Sequence, residues 1–98
     1  ARRTWLREMC IRLQYDTSTV LRLQNRLREA LDHCQKALTM DPTNEAANAE
    51  AMRIFMAQGR REAIDRQYRQ YCKAIEAIGT DEVADTINDL YHELYLNT

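Results

Sequence analysis

The sequence predicts an all-α fold of about five helices arranged as stacked hairpins, and three observations predict it. The 98 residues hold only two glycines and one proline and no alternating β-branched run, so few turns and no convincing strand are on offer. The run Gln35 to Pro42 ends a helix sharply: the ring of Pro42 disfavours α geometry at Asp41, and Thr43 or Asn44 is placed to cap a new helix near Glu45. The same pattern then returns after 34 residues, the period of a helix-turn-helix repeat, with Leu21 falling on Phe55, Asn25 on Gly59, Ala30 on Ile64, Cys34 on Tyr68 and Ala37 on Tyr71.

Taken in order, the first helix is expected from about Arg3 to Gln24, with Trp5, Leu6, Met9, Cys10, Leu13, Val20 and Leu21 as its buried face. The polar run Asp16-Thr17-Ser18-Thr19 is a candidate break in it. The second, about Arg26 to Met40, carries Leu27, Leu31, Cys34 and Leu38. Its Ala30 and Ala37 lie seven residues apart on one face and remove bulk where a neighbouring backbone approaches. The third, about Glu45 to Gln58, buries Ala47, Ala51, Ile54 and Phe55 and is ended by Gly59. In the fourth, Ile64, Tyr68, Tyr71, Ile75 and Ile78 form a seam closed by Gly79 in a left-handed cap. The seam is short and bounded by glycines, so a contact with the third and fifth helices is expected rather than a coiled coil. The fifth is expected to begin at a Thr80 cap, with Asp81 and Glu82 in its first turn, and to bury Val83, Ile87, Leu90 and Leu94.

The small residues Ala30 and Ala37 followed by Pro42 resemble the tetratricopeptide repeat. A narrower resemblance spans most of the chain. Trp5 and Leu13, Leu38 to Pro42, Glu45, Met52, Gly59-Arg60-Arg61, Arg66-Gln67-Tyr68, Ile78-Gly79, Thr86 and Leu90-Tyr91 are similar in order and spacing to the bacterial transcriptional activator domain. This is the tetratricopeptide-like module of antibiotic-regulatory-type activators. The chain departs from that family in lacking a proline after Gly79 and in placing Ala63 one position early. The resemblance implies a tetratricopeptide-like stack of two repeats plus a C-terminal capping helix. It also implies one domain over residues 1–98, belonging to a larger regulator whose DNA-binding part is a separate winged-helix domain. The implied function is a protein-interaction and regulatory one, docking on the adjacent DNA-binding domain, on a second protomer as a homodimer, or on the transcription machinery. DNA is then met only through the separate domain. The alternative is a tetratricopeptide scaffold that binds a partner's peptide and has no link to transcription.

Charge is near balance overall, with a formal net of −1, yet it is polarised. Residues 1 to 31 hold seven arginines (2, 3, 7, 12, 22, 26 and 28) against three acidic residues, whereas residues 72 to 98 hold one lysine against six acidic residues. Arginines in such number suit a phosphate backbone, but no recognition helix or stacking aromatic accompanies them. The asymmetry serves protein docking more naturally. No apolar stretch approaches the roughly 20 residues that cross a bilayer, no signal-peptide pattern opens the chain, and a cytoplasmic location without membrane contact is expected.

Catalytic chemistry finds no foothold. There is no glycine-rich phosphate loop and no nucleophile elbow, and His33 and His92 have no recognisable nucleophile or paired carboxylate. The pairs Glu62 with Asp65 and Asp85 with Asp89 read as solvated faces. Cys10, Cys34 and Cys72 have no metal-ligand spacing, and Cys34 and Cys72 read as small buried hydrophobes. No catalytic residue, metal or cofactor is therefore expected. The candidate partner-binding residues are Met52 and Met56, on a second apolar stripe of the third helix, and Tyr91 and Tyr95, beside the main stripe of the fifth.

Overall fold

The computed structural model describes residues 2–80 and 82–96. Five α-helices follow one another: α1 (Arg2–Leu23), α2 (Leu27–Met40), α3 (Glu45–Ala57), α4 (Arg61–Ala77) and α5 (Asp85–Tyr91), which runs on into one π-helical turn over His92–Leu96. There is no strand among the described residues. Helices α1 and α2 form one antiparallel hairpin and α3 and α4 a second. The hairpins stack through α2 against α3, and α5 packs on α3 and α4 as the closing layer.

The two hairpins are built by the same local device. At the end of α1 the backbone of Asn25 turns left-handed, φ 61°, and at the end of α3 Gly59 does the same, φ 69°. The following amides, Arg26 and Arg60, donate back to Leu21 and Phe55 at 2.9 and 2.8 Å. This satisfies carbonyls that a helix end leaves bare. Gly79, φ 86°, ends α4 in the same way.

Between the hairpins, Asp41 is extended and Pro42 follows. The Asn44 side chain accepts the Ala47 amide at 2.9 Å and starts α3. Asn48, fully buried one turn later, donates to the carbonyls of Pro42 (3.0 Å) and Asn44 (2.8 Å) and accepts from Gln67 of α4 at 2.8 Å. One side chain thus ties the inter-hairpin turn to both helices of the second hairpin, with its polar atoms paired as burial requires.

Small residues set the helix spacing. Ala30, Cys34 and Ala37 of α2 are fully buried. The Ser18 hydroxyl donates to the Ala30 carbonyl at 2.6 Å, and the Cys34 thiol to the Ala47 carbonyl at 3.1 Å. The main core gathers Leu21, Cys34, Met52, Ile54, Phe55, Ile64, Tyr71, Ile75, Ile87 and Leu90, and a smaller one holds Ile11, Ala37 and Ala47.

Four expectations are corrected. The run Asp16 to Thr19 does not break α1, because its hydroxyls find partners without leaving helical geometry: Thr17 and Thr19 donate to the carbonyls four residues back, at 2.7 and 3.0 Å, and Ser18 bonds α2. The buried face of α1 is Ile11, Ser18 and Leu21. Of the face expected inside, only Leu21 is buried; Trp5, Leu6, Met9, Cys10, Leu13 and Val20 are exposed. The two sides of α1 differ in what α2 tolerates, since a backbone approaching as closely as Ala30 does requires a residue the size of Ser18. Ile78, expected in the α4 seam, is exposed because α4 ends at Ala77 and the Gly79 turn swings it outward.

The fifth helix starts at Asp85, not at Thr80. The Thr80 hydroxyl caps only a local turn, accepting from the Glu82 amide at 3.1 Å. The extended Ala84 is held by its amide donating to the Tyr71 hydroxyl at 3.3 Å. The contribution expected from Asp81 lies outside the described residues.

A candidate protein-interaction surface

The side of α1 turned away from α2 carries the largest apolar side chains that the fold leaves uncovered. Trp5, Leu6, Met9, Leu13 and Val20 are 58, 48, 43, 61 and 53% exposed. Successive residues lie about 100° apart around a helix, so Leu13 and Val20, each two positions beyond the buried Ile11 and Ser18, sit about 200° round from them. Helix α1 therefore has two opposite working faces. The inner one, Ile11, Ser18 and Leu21, closes the hairpin; the outer one is a row of large apolar groups in water. Single exposed leucines are ordinary, but a contiguous row of this kind marks an interaction surface.

The row is held on a firm base. The Glu50 carboxylate of α3 is buried and pairs with the Arg22 guanidinium, whose second nitrogen lies at 3.3 Å, while the Thr19 hydroxyl shares its one proton between this carboxylate at 2.8 Å and the Tyr15 carbonyl at 3.0 Å. Nearer its start, the Arg7 guanidinium donates to the Met40 carbonyl at the end of α2, where a cation meets the negative end of a helix dipole. These contacts fix α1 at two points along its length, so its outer face is presented by a rigid element.

The residues proposed from the sequence are placed differently. Met52 is fully buried beside Ile54 and Ile64 and has no surface to offer. Helix α3 is packed by α2 as well as by α4 and α5, so its second apolar stripe is covered at position 52. Met56, one turn on, is 43% exposed. Tyr91 and Tyr95 do not project as free anchors. Tyr68, Tyr91 and Tyr95 form a stack, with ring centroids 4.0 and 5.2 Å apart and planes within 6 and 10° of parallel. Arg61 lies over the outer face of Tyr95, 4.8 Å from its centroid. The Tyr91 hydroxyl donates to Asp65 at 2.5 Å and the Tyr68 hydroxyl to Asn88 at 2.5 Å. The stack ties α5 and the π turn to α4. Its outer edge shares a surface with Arg61 and Leu96, the latter half exposed.

Burial, with the nearby Glu50 charge, pushes the Cys34 thiol up to about 12, so it stays protonated and inert at neutral pH. The Asp65 carboxylate is held below its usual range by the Tyr91 hydroxyl and then by Arg69, and the same hydrogen bond pushes Tyr91 up to about 12. Cys10 is exposed, Cys34 buried and Cys72 partly buried. Among the described residues no group of three or more His, Cys, Asp or Glu is arranged to hold a metal ion, and no helix is long and apolar enough to cross a membrane. The cleft at the start of α5 is walled by Glu45, Glu82 and Asp85 beside Tyr71.

Sequence reasoning missed the outer face of α1 because it assigned the larger of two apolar stripes to the core. The inner stripe is Ile11, Ser18 and Leu21, and the serine in its middle hides it from a reading of apolar periodicity.

The model of the tetratricopeptide repeat family matches residues 21–63, from the last turn of α1 through α2 and α3 to the first turn of α4. No match was found among curated proteins or among solved structures. Two hairpins joined at Pro42, repeated chain reversals 34 residues apart at Asn25 and Gly59, and this family match make the chain a tetratricopeptide-like helical stack, an architecture that serves generally as a non-catalytic protein-interaction scaffold.

Proposed function

We propose that the chain is the regulatory docking module of a bacterial transcriptional regulator. It binds an adjacent DNA-binding domain, a second protomer or the transcription machinery, and so biases which state of the regulator engages DNA. The observation that carries the docking role is the outer face of α1, where Trp5, Leu6, Met9, Leu13 and Val20 stand in solvent on a helix braced at Arg7 and Arg22. The link to transcription is supported by the resemblance of the ordered set from Trp5 to Leu90-Tyr91 to the bacterial transcriptional activator domain. Met56 and the edge of the Tyr91 and Tyr95 stack extend the contact surface on α3 and the π turn; Met52 acts from inside the core by supporting α3.

The test is deletion within the native gene. The proposal expects a winged-helix domain in the same reading frame, and expects removal of residues 1–98 to change operator occupancy, dimerisation or activation of transcription. A regulator that kept all three unchanged would overturn it. A second reading, a tetratricopeptide scaffold that holds a partner's peptide without any tie to transcription, is favoured by the family match over residues 21–63. The reading frame separates the two: further 34-residue repeats in place of a winged helix select the scaffold.

A further inference from the structure

The outer face of α1 carries a heptad. Leu6, Met9, Leu13, Asp16, Val20 and Leu23 are spaced three, four, three, four and three, the repeat with which one helix follows another, and all six are exposed. Contacts within the chain use the opposite face, Ile11, Ser18 and Leu21. The seam runs nearly the full length of α1, whose 22 residues extend about 33 Å.

We propose that α1 of a second copy covers this seam, running antiparallel about a two-fold axis near Leu13. The proposal deepens the docking-module reading, on which it rests, by naming the second protomer and the surface it uses.

Charge fixes both partner and direction. Arg2, Arg3, Arg7 and Arg12 fill the first half of α1, against Glu8, while the second half holds Asp16 and Arg22. A parallel pair would set the arginine-rich halves side by side along the seam. An antiparallel pair carries Arg2, Arg3 and Arg7 to opposite ends, farther apart than the roughly 10 Å over which salt leaves charges in touch. The same reversal brings Arg12 of each copy opposite Asp16 of the other. These two side chains already form an exposed pair within one helix, 3.5 Å apart. In the dimer four charges alternate around the axis, and Asp16, the lone polar residue of the seam, gains a second partner across it. A polar residue at a seam position sets register and direction in this way.

Isologous pairing also closes: the same patch serves both copies and no edge remains for further growth. A helix seam of this length buries on the order of 600 Å² per copy, against about 800 Å² in a standard specific interface, the size of a reversible pair.

The test is sedimentation equilibrium of the 98-residue chain from about 5 to 500 µM, with circular dichroism on every variant. The chain is expected to dimerise reversibly. Leu13→Asp is expected to remain monomeric throughout, with unchanged helix content because position 13 faces solvent in the monomer. Arg12→Asp and Asp16→Arg are each expected to weaken the dimer about tenfold, and the double exchange Arg12→Asp with Asp16→Arg to restore it. Direction is read by oxidative cross-linking after Cys10→Ser: Leu13→Cys, near the axis, cross-links, whereas Leu6→Cys, at opposite ends of the pair, does not.

A chain that stays monomeric at the highest concentration overturns the proposal. So does association that survives Leu13→Asp, association abolished by Asp89→Lys, which would mean head-to-tail contact with the acidic α5, or cross-linking at Leu6→Cys equal to that at Leu13→Cys. A monomeric chain that still binds a regulator's DNA-binding domain overturns self-pairing alone and leaves the docking module standing.

Discussion

Asn25 and Gly59, one repeat apart, hold the same left-handed backbone, φ 61 and 69°, and each precedes an amide that closes onto the carbonyl five residues back. The equivalence is conformational rather than chemical, since asparagine tolerates this region and glycine enters it freely.

From that equivalence the substitution costs follow. Gly59→Ala is expected to cost about 1 kcal/mol, although a Cβ there meets nothing within 4 Å, because the penalty lies in φ and not in contact. Asn25→Gly is expected to be neutral or slightly stabilising, and Asn25→Val to cost about 1 to 2 kcal/mol. Urea melts of the three variants check this. Equal stability of Gly59→Ala and the parent would mean that the turn relaxes out of the left-handed region.

Ala37 has no exposed surface and lies with Ile11 and Ala47 where the two hairpins meet. Replacing it by leucine forces the helices apart and is expected to cost about 1 to 3 kcal/mol. The melting temperature reads this directly, and an unchanged value would put Ala37 at the surface.

The two methionines of α3 separate core from surface. Met52→Ala empties a fully buried site and is expected to cost about 2 to 5 kcal/mol, whereas Met56→Ala, at a position 43% exposed, is expected to stay within about 0.5 kcal/mol. Partner binding reverses the order of interest. Loss of affinity in Met56→Ala at unchanged stability would place that residue in a contact, while any effect of Met52→Ala should track its stability.

Much of this architecture was legible from residue type and spacing because the local rules agree with the global fold. Pro42, Asn44, Gly59 and Gly79 punctuate the chain where the structure reverses, and Ala30, Cys34 and Ala37 lie where helices come closest. Periodicity alone misled at α1, where two apolar stripes share one helix and the bulkier one stays outside. It misled again at the C-terminal end. Thr80 and Glu82 fit a capping pattern, yet Ala84 is drawn into extended geometry by Tyr71, thirteen residues earlier, a contact no local window contains. The stacking of Tyr91 and Tyr95 under Tyr68 and Arg61 joins residues far apart in sequence. The interaction surface was the least legible feature, since an apolar row looks the same whether its cover comes from the same chain or from another.

The bond between Tyr91 and Asp65 predicts a stability profile that falls at both ends of the pH scale. Asp65, held below its usual range first by the Tyr91 hydroxyl and then by Arg69, stabilises the fold above the ordinary carboxylate pKa of about 4, and that contribution is lost as pH falls through its lower folded value. Tyr91, raised to about 12 mainly by the same carboxylate, contributes fully below the ordinary tyrosine pKa of about 10 and loses its contribution as pH rises toward 12. Cys34, also raised to about 12, adds its own alkaline loss beginning near 9, so the acid side is the cleaner readout. Tyr91→Phe keeps the ring between Tyr68 and Tyr95 and removes only the hydroxyl. Urea midpoints measured from pH 2 to 7 are expected to fall less steeply for Tyr91→Phe than for the parent, and parallel curves would mean that the hydroxyl does not hold Asp65 in solution.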